Sequence, residues 1–148
     1  MKKCIIIGKT NVGKTVFALQ FARYVGVERL TVAFQDPDGK AWSRAYTAQD
    51  ALAALVSPDP HQTRCLQAIC LELPVAKGLK RFEIIDTSGL IEGIHTEPAI
   101  RRAMAQTLSL VRTADLILHI VDASRAGVQG AVEAIGEVDY QVAQFAQM

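Results

Sequence analysis

The chain has 148 residues, of which 50% are hydrophobic and 21% are charged, and its formal net charge is +1. This composition indicates one globular domain and excludes an intrinsically disordered chain. The near-neutral charge gives no electrostatic argument for a nucleic-acid or membrane surface, and no apolar run approaches the roughly 20 residues that cross a bilayer.

The first predicted elements are a buried strand, a glycine-bounded loop and a helix. The strand covers Lys3–Ile7, and the helix runs from about Lys14 to Tyr24, with Gly26 as its stop. The stretch Gly8–Thr15 between them reads G-K-T-N-V-G-K-T, which matches the P-loop pattern G-x-x-x-x-G-K-S/T. Converging backbone N–H groups and a helix N-terminus bind phosphate in this context. The sequence therefore predicts that the chain binds a nucleoside triphosphate.

The contacts predicted for this loop follow from the chemistry of its residues. Lys14 is expected to reach the β- and γ-phosphates and to act in catalysis, and the Thr15 hydroxyl is expected to coordinate Mg²⁺. The predicted nucleotide-binding residues of the loop and the first helical turn are Asn11, Val12, Gly13, Lys14, Thr15 and Val16.

The next segment predicts a β-hairpin and a short helix. Strands at Leu30–Phe34 and Ala41–Tyr46 flank the turn sequence Asp36-Pro37-Asp38-Gly39. Thr47 and Asp50 have the spacing of a capping box, so a helix is expected to begin there and to end at the following proline-rich stretch.

Two antiparallel strands, a helix, a further strand and a last helix complete the predicted elements. The antiparallel strands are Arg64–Leu73 and Arg81–Ile85, since the connection between them is too short for a crossover. A helix begins at Pro98, Leu116–Val121 predicts a buried strand, and a last helix is expected from Val128 onward.

The three cysteines lie in or beside apolar runs and indicate reduced thiols, so we expect a cytoplasmic protein.

A second site motif, Asp86-Thr87-Ser88-Gly89, follows the second antiparallel strand. An acidic residue at this place in a P-loop sheet holds Mg²⁺ through water, and the glycine offers its N–H to the γ-phosphate. We therefore predict Asp86 as a metal-binding residue and Gly89 as a nucleotide-binding residue.

These motifs resemble those of translation-factor-class (TRAFAC) P-loop GTPases of the Era, HflX and FeoB kinds. Residues 8–15 resemble their P-loop, residues 86–90 their second loop and residues 62–64 their switch I segment, while residues 112–124 are close to the next strand of HflX-like members. The resemblance implies a Ras-like three-layer α/β sandwich, with a mostly parallel sheet and one antiparallel strand. It leaves out residues 27–60, which are interpreted as a hairpin–helix insertion in place of a simple loop.

The resemblance also implies roles for individual residues. Thr63 corresponds to the switch I threonine, so it is implied to bind Mg²⁺ with Thr15 and Asp86 and to act in catalysis with Lys14. Asn11 matches an asparagine that helps to hold K⁺ in some members, or it simply tolerates the tight turn.

The resemblance also bears on rate and specificity. Leu90 stands where Ras-like proteins carry a water-orienting glutamine, which implies slow hydrolysis. The guanine-specificity motif N/T-K-x-D does not occur in these residues. We therefore interpret residues 1–148 as the N-terminal portion of a single GTPase domain whose sheet is incomplete at its C-terminal edge. Such a portion is expected to hydrolyse GTP slowly or not at all, to prefer GTP over ATP only weakly, and to associate through the exposed edge strand.

Three functions remain open from the sequence. The first is a GTP-binding molecular switch with Mg²⁺-dependent hydrolysis, with GTP and GDP as ligands; a ribosome, RNA or protein partner is implied by resemblance alone. The second is an ATP-using P-loop enzyme such as a small-molecule kinase, against which the Asp86 motif stands. The third is a nucleotide-free interaction module, against which the intact Lys14, Thr15 and Asp86 stand.

Overall fold

The structure, a computed structural model, describes residues 1–9, 11–36, 39–56, 66–87, 98, 105 and 108–125. Residues 108–111 are helical. The other elements, in chain order, are β1 (Lys2–Ile7), α1 (Lys14–Tyr24), β2 (Arg29–Gln35), β3 (Ala41–Thr47), α2 (Ala48–Leu55), β4 (Leu66–Val75), β5 (Gly78–Asp86), β6 (Leu116–His119) and a 3₁₀ turn (Ala123–Arg125). The predicted helix from Val128 onward lies outside the described residues.

The described strands form one six-stranded sheet in the order β3–β2–β4–β5–β1–β6. β1 pairs parallel with β5 and β6, whereas β2–β3, β2–β4 and β4–β5 are antiparallel pairs. The predicted α/β fold class is confirmed. The prediction of one antiparallel strand is wrong in its number, because both β3 and β4 run against the other four described strands. The hairpin causes the difference, since it joins the main sheet through the pairing of β2 with β4.

β1 is a central strand that is buried on both of its faces. Ile5 and Ile6 are 0% exposed, and Ile7 is 2% exposed. Ile6 belongs to the apolar cluster that includes residues of α1 and α2, while Ile5 and Ile7 pack in a second cluster with Val111. The side chains of a strand alternate between faces, so the sheet is covered on both sides and the molecule has three layers.

Helix α1 lies between two glycines with positive φ angles, Gly13 (94°) and Gly26 (84°). At its C-terminal end the Val27 N–H donates to the Ala22 carbonyl (3.0 Å) and the Gly26 N–H donates to the Arg23 carbonyl (3.0 Å). This is the Schellman arrangement, in which a left-handed glycine ends the helix, and it confirms the predicted stop.

The face of α1 that packs on the sheet consists mainly of small apolar residues. Ala18, Leu19 and Ala22 are each 0% exposed, whereas Phe17 is 44% exposed and stacks on Phe21 with a centroid distance of 6.4 Å. Small side chains allow a helix to lie close to its support. Helix α1 therefore lies close to the sheet.

The hairpin and helix predicted within residues 27–60 are present. β2 and β3 are in register from the Arg29–Thr47 pair to the Gln35–Ala41 pair. The Thr47 side chain caps α2 by accepting a hydrogen bond from the Asp50 N–H (3.1 Å), as the capping-box spacing predicts.

The strands after the hairpin differ from their predicted limits. β4 and β5 are joined by a two-residue turn and extend nearer to it than predicted, from the Val75–Gly78 pair to the Gln67–Asp86 pair. β6 is shorter than predicted. Its residues are not buried as its apolar run predicts, but among the described strands it is the exposed edge strand that was expected. Leu116 is 49% exposed, because β6 lies at the edge of the described sheet and pairs only with β1 there. Among the described helices, none is long and apolar enough to cross a membrane.

Candidate functional site

The glycine loop after β1 lies beside the end of β5. The parallel register of these strands places Ile6 opposite Asp86, so the loop that leaves β1 and the carboxylate that ends β5 meet at the same edge of the sheet. Ligands of open α/β sheets bind at this carboxyl edge of the parallel strands.

The backbone of the loop uses conformations that few residues adopt. Gly8 has a φ angle of 149°, and a Cβ atom added to it would collide with the Ile120 carbonyl oxygen. Asn11 has a φ angle of 60° and is the residue other than glycine with a positive φ in the described chain. Asparagine tolerates this left-handed region better than most residues. This geometry is compatible with both interpretations of Asn11.

The Lys14 ammonium group is held within the loop. Lys14 is only 6% exposed, and its Nζ donates to the carbonyl oxygens of Gly8 (3.0 Å) and Lys9 (2.7 Å). It lies in the first turn of α1, where the positive end of the helix dipole is also located. Positive charge is therefore concentrated where the P-loop pattern predicts phosphate.

Two of the predicted metal-binding residues, Thr15 and Asp86, are in direct contact. The Thr15 hydroxyl donates a hydrogen bond to Oδ2 of Asp86, which joins the first turn of α1 to the end of β5. Next to it, the Thr87 hydroxyl donates to the Ile6 carbonyl (2.8 Å) and links the end of β5 to β1.

The second carboxylate oxygen of Asp86 is buried without a partner in the described part of the chain. Asp86 is 1% exposed, and no described residue donates a hydrogen bond to its Oδ1. Burial raises the pKa of Asp86 from 3.8 to about 6, although the Thr15 hydrogen bond and the Lys14 charge both lower it. The site thus contains a buried carboxylate oxygen with unused capacity to accept a hydrogen bond or to face a cation.

These residues fit a Mg²⁺ ion. The described residues contain no group of three or more His, Cys, Asp and Glu side chains that could hold a metal. Mg²⁺ does not require such a group at a nucleotide site, because it binds one or two protein oxygens, several waters and the phosphates of the ligand. The Thr15 hydroxyl and the unpartnered Asp86 oxygen are hard oxygen atoms of this kind.

The other predicted site residues divide into two groups. Asn11, Val12 and Gly13 lie in the loop, and Val16 lies in the first turn of α1 with 37% of its surface exposed. Thr63 and Gly89 lie outside the described residues, so their roles remain predictions.

Sequence reasoning missed one residue at this edge of the sheet, Gln67. It is in register with Asp86 and is only 6% exposed. The sequence feature that could have identified it is the presence of a glutamine within an apolar run, which begins at Leu66 and continues through Ile69.

A comparison with protein families gives a match to a family described as 50S ribosome-binding GTPase, over residues 43–148. The matched range begins in β3 and covers more than half of the chain. It does not include Gly8–Thr15, so the loop geometry and the family match are independent observations. No curated protein matches the chain.

Proposed function

The chain belongs to the family of 50S ribosome-binding GTPases, and from this premise we propose that it is a molecular switch that binds GTP and hydrolyses it to GDP with Mg²⁺. The observation that carries the proposal is the contact between Thr15 and Asp86 directly beside the buried ammonium of Lys14. A P-loop NTPase needs these three groups together, to hold the metal and the β- and γ-phosphates.

Each residue of the site has a distinct task in this proposal. Lys14 exchanges its bonds to the loop carbonyls for bonds to phosphate oxygens, and the N–H groups at the start of α1 donate to the same phosphates. Thr15 and Asp86 hold the metal, which supplies charge neutralisation on the phosphates when bound. In this proposal Thr63 also binds the metal and the Gly89 N–H donates to the γ-phosphate, so these two residues respond to the presence of the γ-phosphate.

The rate of hydrolysis is proposed to be low in the chain alone. Leu90 cannot orient an attacking water, and Asn11 is the candidate for a K⁺ ion that would compensate. Comparing hydrolysis rates in K⁺ and in Na⁺ decides between the two interpretations of Asn11, because the turn interpretation predicts equal rates.

The ribosome is the proposed partner, and the description of the family is what supports it. Co-sedimentation with ribosomes in the presence of GTP, compared with GDP, tests this part. Equal amounts of the protein in the pellet with both nucleotides would contradict a ribosome that distinguishes the GTP-bound from the GDP-bound form.

The central experiment removes the Lys14 ammonium group. We expect Lys14→Ala to weaken binding of fluorescent GTP by about 100-fold or more, since charge-assisted contacts to phosphate are among the strongest in proteins. Lys80→Ala is the matched control, because Lys80 lies in the exposed part of β5, and it should leave binding unchanged. Unchanged binding by Lys14→Ala would show that the triphosphate binds elsewhere.

The same assay tests the preference for the base. The N/T-K-x-D motif does not occur in these 148 residues, so we expect unlabelled ATP to compete nearly as well as GTP, through the phosphates. Strong selectivity for GTP would contradict this expectation without contradicting the phosphate site.

A further inference from the structure

One row of registered residues crosses the sheet at the carboxyl end of β1. Trp42 of β3 is in register with Phe34 of β2, Phe34 with Gln67 of β4, Gln67 with Asp86 of β5, and Asp86 with Ile6 of β1. Registered residues of neighbouring strands point to the same face of a sheet. Phe34 and Ile6 pack in the apolar cluster that includes α1, so the whole row faces α1.

Gln67 is the uncharged polar member of this row, and its amide oxygen has no partner among the residues that the structure describes. The residue is 6% exposed, and no described residue donates a hydrogen bond to its Oε1. A buried acceptor without a donor destabilises the folded protein, so native proteins rarely retain one without a use.

Asp86, the neighbour of Gln67 in the row, also has a buried oxygen, Oδ1, to which no described residue donates a hydrogen bond. Side chains of directly paired strand residues have Cβ atoms about 4.5–5.5 Å apart. Two buried acceptors are therefore neighbours, and an amide oxygen cannot satisfy a carboxylate. A group that donates to both oxygens, or a cation with its waters, would satisfy this pair.

We propose that Gln67 is a metal-positioning residue, whose Oε1 accepts a hydrogen bond from a water molecule in the hydration shell of the Mg²⁺ that Asp86 holds. This inference rests on the proposed nucleotide function of the same site. Mg²⁺ keeps several of its waters when it binds to proteins, and groups that accept from those waters orient the ion. Gln67 lies on the other side of Asp86 from β1, because β5 lies between β4 and β1 in the sheet.

The test measures metal affinity apart from nucleotide affinity. Mn²⁺, used in place of Mg²⁺, is titrated into the complex of the protein with GDP, and free Mn²⁺ is followed by electron paramagnetic resonance. Gln67→Met keeps the length and shape of the side chain but removes the amide oxygen. We expect this variant to bind Mn²⁺ about tenfold more weakly, since the loss of an outer-shell partner costs roughly 10- to 100-fold in metal affinity.

Two further measurements separate a role toward the metal from a structural role. GDP affinity in EDTA should be the same for Gln67→Met and the unaltered protein, and Gln67→Glu, which keeps an acceptor at the same position, should bind Mn²⁺ at least as tightly as glutamine does. Equal loss of GDP affinity with and without metal would show that Gln67 only supports the fold, which overturns the inference.

The outcomes also distinguish the inference from the proposed function. If the unaltered protein binds GDP and Mn²⁺ and Gln67→Met binds Mn²⁺ within twofold of it, the inference is wrong and the proposed function stands. If the unaltered protein binds neither GDP nor GTP, both are wrong.

Discussion

Asp86 is placed where its negative charge is costly for the folded protein. The carboxylate is 1% exposed, and burial raises its pKa to about 6, against an ordinary value of 3.8. Between these two pH values the folded protein holds this proton more tightly than the unfolded chain does. The contribution of Asp86 to stability is therefore largest below about pH 4 and is lost as the pH rises through about 6.

Replacing Asp86 by asparagine should remove this cost. We expect Asp86→Asn to increase the free energy of unfolding at pH 7 without metal or nucleotide by up to about 3 kcal/mol, because each pKa unit corresponds to about 1.4 kcal/mol. The difference should largely disappear near pH 4, where the Asp86 carboxyl group of the folded protein is protonated. Urea unfolding in EDTA at a series of pH values measures it.

Asp115 supplies a control of opposite sign for this measurement. Hydrogen bonds from the Lys3 N–H and from the Lys2 side chain lower the pKa of Asp115, which lies at the surface. Asp115→Asn should therefore reduce stability at pH 7, with an effect that fades as the pH falls through the lowered pKa. If both variants lost stability at pH 7, the buried charge of Asp86 would not be a cost.

At the scale of elements, the glycine loop depends on the backbone that follows β6. The Ile120 N–H donates to the Ile7 carbonyl (2.9 Å), and the Ile120 carbonyl oxygen occupies the space beside Gly8. The start of the loop is thus held between β1, from which it continues, and the segment after β6, which contacts Gly8. Any side chain at position 8 must displace one of these backbone segments.

Gly8→Ala should therefore destabilise the protein more than a positive φ angle alone explains. We compare it with Gly39→Ala in the β2–β3 turn, where φ is 90° and no described neighbour lies within 4 Å of an added Cβ. The control should cost about 1–2 kcal/mol for the left-handed conformation, and Gly8→Ala about 2 kcal/mol or more beyond that. Thermal unfolding of both variants checks the difference, and equal losses would mean that the contact with Ile120 is unimportant.

The elements that the sequence predicted are those with local signals. The hairpin followed from the turn at Asp36–Gly39, and the stop of α1 followed from Gly26, because each depends on a few adjacent residues. The loop and Asp86 were predicted as site residues for the same reason, since a motif with fixed spacing carries its own context.

Strand order and register had no local signal. Nothing near β2 indicates that it pairs with β4, because this pairing depends on packing across the whole sheet. Gln67 was missed for this reason, since its place beside Asp86 follows only from the register of β4 with β5. The exposure of β6 likewise depends on which strands flank it, and not on its own apolar residues.

At the scale of the whole molecule, the hairpin and α2 belong to the main core. Leu30, Val32 and Phe34 of β2 lie in the same apolar cluster as Ile6 of β1 and Ile69 of β4. β2 is also flanked by β3 on one side and β4 on the other. A segment that shares its core and its sheet with the rest of the chain is expected to unfold with it.

Trp42 makes this expectation testable, because it is the single tryptophan of the sequence and lies in β3, at the far edge of the described sheet from β6. We expect unfolding followed by Trp42 fluorescence to coincide with unfolding followed by far-ultraviolet circular dichroism. Val32→Ala should shift both curves equally, by about 2 kcal/mol, since Val32 is fully buried and loses two methyl groups. Thr31→Ala on the exposed face of β2 is the control and should shift neither curve by more than about 0.5 kcal/mol.

If Val32→Ala moved the fluorescence curve alone, the hairpin would be a separate unit attached to a core that folds without it. Coincident shifts would mean that Phe34 and Gln67 are held by the same cooperative structure as Asp86, so a ligand that binds at Asp86 stabilises the hairpin as well.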